Sequence, residues 1–479
     1  MATEGSTLRG TDAGVQDVDT LPPRPGLAVI FSGSSPLWQL IALSSEQKTG
    51  DDPADRELVL GRDNLAAHTG DSRISRRHVH LSYRSGGFTA MDLGSLNGTV
   101  IDGRLAPAHV AMPLRHCLRV GDTLLLPVPN LNTFAANGLV VRDGIVVGPS
   151  LAVLHQRIGR IAAISPNLHI TGESGSGKEH SARAFHLAST VRSGPFVAVN
   201  CATIPESIAE RLLFGAKRGA FSGAATDSDG YVQSAHNGTL FLDEVAELHA
   251  TVQAKLLRVL ETREVLAVGA VRPQPVNLRV CSASHRSLHT EVAAGRLRED
   301  LYYRIARPSE RVPALRERLE EIPWLIQEEL QRSSPGISPH VSFVEACVLR
   351  HWPGNVRELL VEVRAAVQEA SAHGSARLKA DHLAAGAGQI IRNQDAASER
   401  PSESRPTAEP VGAPSASSEE SPIRPAGERP SKAQIVAALL EAKCNISEAA
   451  RRLGVHRTQL RRQMDQLGID LERVRQLGE

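Results

Sequence analysis

Gly172-Glu173-Ser174-Gly175-Ser176-Gly177-Lys178 has the residue types and spacing that grip phosphate. Three glycines let the backbone turn its N–H groups inward around phosphate oxygens. An apolar strand (Leu168, Ile170) enters the loop and a helical pattern (Ala182, Phe185) leaves it. That is the context a Gly-x4-Gly-Lys motif needs, and the helix N-terminus adds partial positive charge. Lys178 would reach the outer phosphates. Downstream, Thr239-Leu-Phe-Leu ends in Asp243-Glu244. At the edge of a parallel sheet, the first carboxylate would hold magnesium and the second would polarise the attacking water. Alone, this run reads equally well as a buried strand ending in a solvated acidic turn. With the loop upstream, the pair points to ATP or GTP.

These groups need a parallel sheet to position them. Between residues 144 and 390, strand-like runs (Pro195–Asn200, Leu278–Ser282) alternate with helical ones (Ser207–Phe214, Val252–Leu260). That order predicts a doubly wound α/β domain with a helical lid. Ahead of it, residues 26–130 carry short β-type runs separated by turn signals (Ser85-Gly-Gly87, Asn97-Gly98, Asp102-Gly103), which predict a β-sandwich. Residues 1–25 and 392–430 lack apolar periodicity, and we expect a disordered tail and tether there. From 431 to 479 a helical pattern returns. Ser447–Leu453, the turn at Gly454 and Arg457–Met464 read as an all-α helix-turn-helix.

The chain has 479 residues and a net charge of +1, so any nucleic-acid contact must come from a local patch. Its five cysteines, at 117, 201, 281, 347 and 444, form no Cys-x-x-Cys, which argues against a zinc site or a disulfide framework. No apolar run approaches a membrane span and the N-terminus has no secretory pattern, so we expect a soluble, cytoplasmic protein without membrane contact.

Three resemblances sharpen these expectations. Gly61-Arg62, Ser75-Arg-Arg-His78 and Ser95-Leu-Asn97-Gly98, in that order, resemble the forkhead-associated (FHA) domain, which binds phosphothreonine peptides. The resemblance implies that Arg62, Ser75 and Arg76 hold the phosphate, that Asn97 holds the peptide backbone, and that His78 buttresses the loop. The partner would be a phosphothreonine protein from a Ser/Thr kinase pathway. Phosphorylated Thr7, Thr11 or Thr20 in the tail could serve the same domain in cis or across subunits.

The central segment is similar to the sigma-54-interacting AAA+ domain of bacterial enhancer-binding proteins. The similarity rests on Gly172–Glu179, Gly219–Ala224, Gly238–Glu244, Lys255–Leu260, Arg298–Arg304, Leu315–Arg318 and Trp352–Leu359. It implies ATP and Mg2+ as cofactors, with Asp243 on the metal and Glu244 orienting water. Glu179 stands where many phosphate loops carry Ser or Thr. Arg304, and Arg298 with it, would reach the γ-phosphate of a neighbouring subunit in a homo-oligomer, a hexameric ring by family likeness. Arg357 would sense nucleotide within its own subunit. Gly219-Ala220-Phe221-Ser222-Gly223-Ala224 would push on sigma-54, with Ser222 replacing the usual Thr. His285 stands where the family normally places a nucleotide-sensing Asn.

The C-terminal segment resembles the Fis-type DNA-binding domain. Arg457, Thr458, Gln459 and Arg461 would face the major groove of enhancer-type DNA, and Arg462 or Arg452 would hold phosphate. The implied function is a sigma-54-dependent activator that hydrolyses ATP to remodel the sigma-54 RNA polymerase holoenzyme under FHA control. The first alternative is a DNA-binding regulator whose ATPase module oligomerises without remodelling sigma-54. The second is a phosphopeptide-tethered ATPase acting on another protein.

Overall fold

The computed structural model describes residues 21–43, 56–66, 69–221 and 224–390, with the helical positions 435, 438, 439 and 449. Residues 1–20 of the expected tail, Ser222, Gly223, the tether at 392–430 and the recognition residues 457–462 lie outside the described residues. The last part of the expected 1–25 tail is instead tied down, Arg24 O accepting from Leu131 N at 2.8 Å and Pro25 O from Leu43 N at 3.1 Å. The chain forms two units, 1–394 and 395–479.

The first unit opens with the expected β-sandwich. One sheet runs in the order β2-β1-β10-β9-β6-β7 and the other β3-β4-β5-β8. The strands are β1 (Gly26–Ser32), β2 (Ser35–Ala42), β3 (Arg56–Leu60), β4 (Val79–Arg84) and β5 (Gly87–Asp92). The others are β6 (Thr99–Ile101), β7 (Arg104–Leu105), β8 (Ala111–Leu114), β9 (Leu118–Val120) and β10 (Thr123–Val128). Leu27, Val29, Leu81, Phe88, Leu118 and Leu125 meet between the sheets. A sandwich strand normally alternates buried and exposed residues. β1 does not: all its positions are buried. Its outward residues Ala28 and Ile30 share a core with lid helices of the next domain.

The stretch between the two expected domains is also ordered. Helix α1 (Leu131–Asn137) is capped by Asn130, whose side chain accepts from Asn132 N. The hairpin β11 (Val140–Arg142) and β12 (Ile145–Val147) follows, then helix α2 (Pro149–Ile164).

The second domain is built on five parallel strands in the order β14-β15-β16-β13-β17. These are β13 (Asn167–Thr171), β14 (Phe196–Asn200), β15 (Gly238–Asp243), β16 (Leu278–Ser284) and β17 (Ser309–Arg311). Helices α3 (Lys178–Leu187), α4 (Glu206–Phe214), α5 (Ala250–Thr262) and α6 (Glu299–Ile305) surround them. β15 is apolar and buried until Asp243, as a parallel strand covered on both faces requires. The lid consists of α7 (Ile322–Ser333), α8 (Val341–Val348) and α9 (Asn355–Ala372), packed around the fully buried Trp352. Trp352 donates its Nε1–H to Cys347 O at 2.7 Å, so its polar edge is satisfied inside the core. In the C-terminal unit, Ile435, Ala438, Leu439 and Ala449 are buried helical positions. The first three have the i, i+3, i+4 spacing of one helix face.

Candidate nucleotide site and partner loops

The phosphate loop joins β13 to α3, with Gly175 and Gly177 at φ 71° and 100°. Lys178 is nearly buried and points back over the loop. Its Nζ lies 3.1 Å from Gly172 O and 3.2 Å from Glu244 Oε1. Glu244 Oε2 in turn accepts from His285 Nδ1 at 2.6 Å and from His285 N at 3.2 Å. Burial opposes the charge on Glu244, yet the His285 hydrogen bonds and the Lys178 charge hold its pKa below the ordinary glutamate value. Glu244 also sits at φ 53°, a left-handed conformation that a non-glycine residue adopts at a cost of about 1–3 kcal/mol. Burial raises the pKa of the neighbouring Asp243.

The loop's outer wall comes from distant segments. Glu173 takes a bidentate grip from Arg316 and a further bond from Asn355 Nδ2, and these partners lower its pKa to about 2. Asn355, wholly buried at the root of α9, also binds Ser174 O at 3.1 Å and accepts from Leu315 N at 2.8 Å. Arg357 follows, its Nη1 at 3.2 Å from Ser174 Oγ. Buried Arg318 joins Ser176 O to Glu321, and Glu321 Oε1 accepts from Gly148 N at 2.8 Å. The loop is therefore clamped between the lid and the start of α2.

These parts enclose a cavity of about 560 Å3. Lys178, Asp243, Glu244 and Arg357 line it together with the apolar Val146, Val147, Leu151, Leu325 and Leu360. A lining that is part charged and part apolar suits a nucleotide, the charged groups for its phosphates and the apolar ones for its base. One carboxylate facing the phosphate pocket fits magnesium, which keeps several waters and takes few protein ligands. Glu179 borders the cavity, but its carboxylate is exposed and bound to Arg183 at 2.8 Å. His285 lies outside the lining and reaches the site through Glu244. Arg298 and Arg304 are also absent from the lining. Arg298 pairs with Asp300 at 2.7 Å, and Arg304 donates to Leu260 O at 3.0 Å.

In the sandwich, three loops are tied together. Arg62 N donates to Ser75 O at 3.0 Å, Leu96 N to Ser75 Oγ at 3.1 Å, and Asn97 Nδ2 to Arg73 O at 2.7 Å. Buried His78 accepts from Ser75 N and reaches Gly98 O, and burial lowers its pKa. Arg62 and Arg76 are exposed, and a Cβ on Gly61 would collide with Arg76 O. The three signatures thus share one rim, where Arg62 Nε donates to Ile74 O at 3.3 Å and the Arg76 side chain is exposed.

On the second domain, Gly219 N binds Ala224 O at 2.9 Å, closing the loop. Phe221 is 39% exposed with Arg211 over its ring at 4.9 Å, and Ala220 packs against Gly269. Sequence reasoning gave no role to Asn355, Arg316, Arg318, Glu321 or the 140–147 hairpin. Arg316, Arg318 and Asn355 sit inside motif strings, but their partners are far away in the chain.

Comparison with known proteins agrees with this layout. A sigma-54 interaction domain profile matches residues 145–309, an FHA domain profile 58–126, and a bacterial regulatory protein, Fis family profile 430–467. The acetoin catabolism regulatory protein of Cupriavidus necator is 42% identical over 66% of this chain and 45% of its own length. The transcriptional regulatory protein GlrR of Escherichia coli is 42% identical over 46% of this chain and 51% of its own. The chain thus spans about half the length of the curated relatives it matches. A crystal structure of NtrX from Brucella abortus aligns with 30% identity and a TM-score of 0.48, covering 68% of this chain and 69% of that one. Among the described residues, no helix is long and apolar enough to cross a membrane.

Proposed function

The chain belongs to the bacterial sigma-54-dependent regulators, with an FHA domain ahead of the AAA+ module and a Fis-type helix-turn-helix behind it, and from that premise we propose that it is an ATP-driven transcriptional activator controlled by a phosphothreonine signal. The observation that carries this reading is the convergence of Lys178, Asp243, Glu244 and Arg357 on one cavity.

In the proposed reaction, the loop amides and Lys178 hold the β- and γ-phosphates and Arg357 closes from the lid. Glu244 orients the attacking water. For that it exchanges its present bond to Lys178 for one to water, while His285 keeps hold of the other carboxylate oxygen. Asp243 would hold magnesium, which would supply neutralisation of the developing phosphate charge. Arg304 and Arg298 complete the site from a neighbouring subunit in a ring of six. An arginine supplied in this way is worth roughly 10³–10⁵ in rate in related systems. Hydrolysis then drives the 219–224 loop, with Phe221 at its tip, against sigma-54 in the polymerase holoenzyme. Arg457, Thr458, Gln459, Arg461 and Arg462 read enhancer-type DNA, and Arg62, Ser75, Arg76 and Asn97 bind the phosphothreonine partner. The setting is the cytoplasm.

The test is ATP-dependent open-complex formation by sigma-54 RNA polymerase, with Glu244→Gln as control. Opening by the parent and none by the variant is the expected result. Hydrolysis without opening, beside an active reference activator, would favour a regulator that oligomerises but does not remodel sigma-54. The His285 bond to Glu244, at a position where the family normally has Asn, is the observation on that side.

A further inference from the structure

The central strands β1 and β10 of the six-stranded sheet are buried on both faces, and only one face belongs to the sandwich core. On the other, Ile30 of β1 and Leu124 and Leu126 of β10 lie in one apolar core with Ile326 of α7 and Val344 and Val348 of α8. Helix α7 contacts β2, and α8 contacts β1 and β10. Trp38 of β2 meets Trp324 of α7 edge-on at 6.1 Å and stacks on Phe134 of α1 at 5.7 Å. Polar contacts hold the rim. Arg119 Nε donates to Glu345 Oε2 at 2.8 Å, with Glu345 8% exposed, and His340 at the cap of α8 lies 4.0 Å from Asp122 Oδ1. A continuous apolar core with a half-buried ion pair at its rim has the character of a permanent interface rather than a passing touch.

Each end of this interface leads to a binding site. Arg119 sits opposite Val100 in β6, which begins at Thr99, two residues after Asn97. Asp122 binds Arg73 at 3.0 Å, and Arg73 O anchors Asn97. On the other side, α8 leads through Trp352 to Asn355 and Arg357, which hold the phosphate loop. We propose that the outer face of the six-stranded sheet is a docking surface for the chain's own lid, so that sandwich and lid form one rigid body and a phosphothreonine ligand and a nucleotide influence each other's binding. The second half of this statement rests on the phosphothreonine reading above; the first half does not.

The experiment is hydrogen exchange on the full chain, with ADP at about 100 times its Kd, where stabilisation corresponds to roughly 100-fold slower opening. If sandwich and lid are one body, amides of β1 and β10 slow with those of the phosphate loop. If the phosphate loop slows and β1 and β10 do not, the proposal is overturned. Glu345→Lys, which sets a cation against Arg119, should remove the response of β1 and β10 and leave that of the phosphate loop. Trp38→Glu alters only the sandwich side and should do the same, which guards against damage to the lid in the first variant. A degenerate phosphothreonine peptide pool then serves as the second probe. Its Kd should change about fivefold or more with ADP in the parent and less than about twofold in Trp38→Glu. Equal affinity with and without ADP would overturn the mutual influence. If no peptide binds while β1 and β10 still follow ADP, the phosphothreonine reading fails and the rigid body stands.

Discussion

Glu244 is held from three directions: by its left-handed backbone, by Lys178 and by His285. The His285 hydrogen bonds and the Lys178 charge hold its pKa down, which keeps the carboxylate ionised and ready to orient water rather than to give up a proton. Glu244→Gln should therefore leave nucleotide affinity within about threefold of the parent and lower turnover by roughly 10²–10⁴. Lys178→Ala should lose affinity itself. Fluorescent-nucleotide titration beside phosphate release separates the two, and a Gln variant whose affinity falls as far as its turnover would make Glu244 a binding group instead. A second residue acts on stability. His169 lies inside the sheet with Nδ1 at 2.9 Å from Ser282 Oγ and no partner for Nε2, and burial lowers its pKa to about 4. Its neutral form is the folded form. Between pH 6.5 and 4 the unfolded chain binds more protons, so stability falls as pH drops through that window, by up to about 3 kcal/mol. Glu320, which burial raises to about 8, has the opposite dependence, but it is common to parent and variant. His169→Leu should thus shrink the loss of thermal midpoint between pH 7 and 5, and an unchanged loss would show that His169 does not titrate there.

At the scale of elements, the phosphate loop depends on α9 as much as on β13 and α3. Val356 N donates to Gly175 O at 3.1 Å, and a Cβ on Gly175 would strike Gly354 O. At φ 71° that position also disfavours any other residue. Gly175→Ala should weaken nucleotide binding at least about tenfold by pushing α9 and Arg357 outward, with the far-UV dichroism unchanged. Normal affinity would mean that the loop does not need the lid. This dependence explains what could be read from the sequence. The phosphate loop was legible because strand, turn and helix are adjacent, and the acidic pair because it ends an apolar run. The sandwich was legible from its turns. Asn355 and Arg318 were not, since each acts on a loop carbonyl some 140 to 180 residues away. The run Leu27–Phe31 did carry a signal, an unbroken apolar stretch in an antiparallel sheet, which implies a second covered face without saying what covers it. The 140–147 hairpin was passed over as a boundary because its strands are only three residues long.

For the whole molecule, the cavity contains a loop lysine, two carboxylates and a lid arginine, while Arg298 and Arg304 lie outside it, engaged with Asp300 and Leu260 O. If those arginines act across a subunit boundary, each complete site draws Glu244 from one copy and Arg304 from the next. That arrangement is heterologous, and heterologous contacts form a ring when the rotation between copies closes. It also permits a test that no single-chain mechanism can pass. Arg304→Ala and Glu244→Gln should each be nearly inactive alone. Mixed in equal amounts, they form some boundaries where the Arg304→Ala copy supplies an intact Glu244 and the Glu244→Gln copy supplies an intact Arg304. Random assembly places that order at about a quarter of boundaries in a closed ring. ATPase activity should therefore appear on mixing, rise with total concentration as rings form, and reach up to about a quarter of the parent's rate if sites act independently. Silence of the mixture at concentrations where the parent is assembled and active would place Arg304 in the same copy as the nucleotide it serves, and would require that copy's α6 to move toward its own phosphate loop.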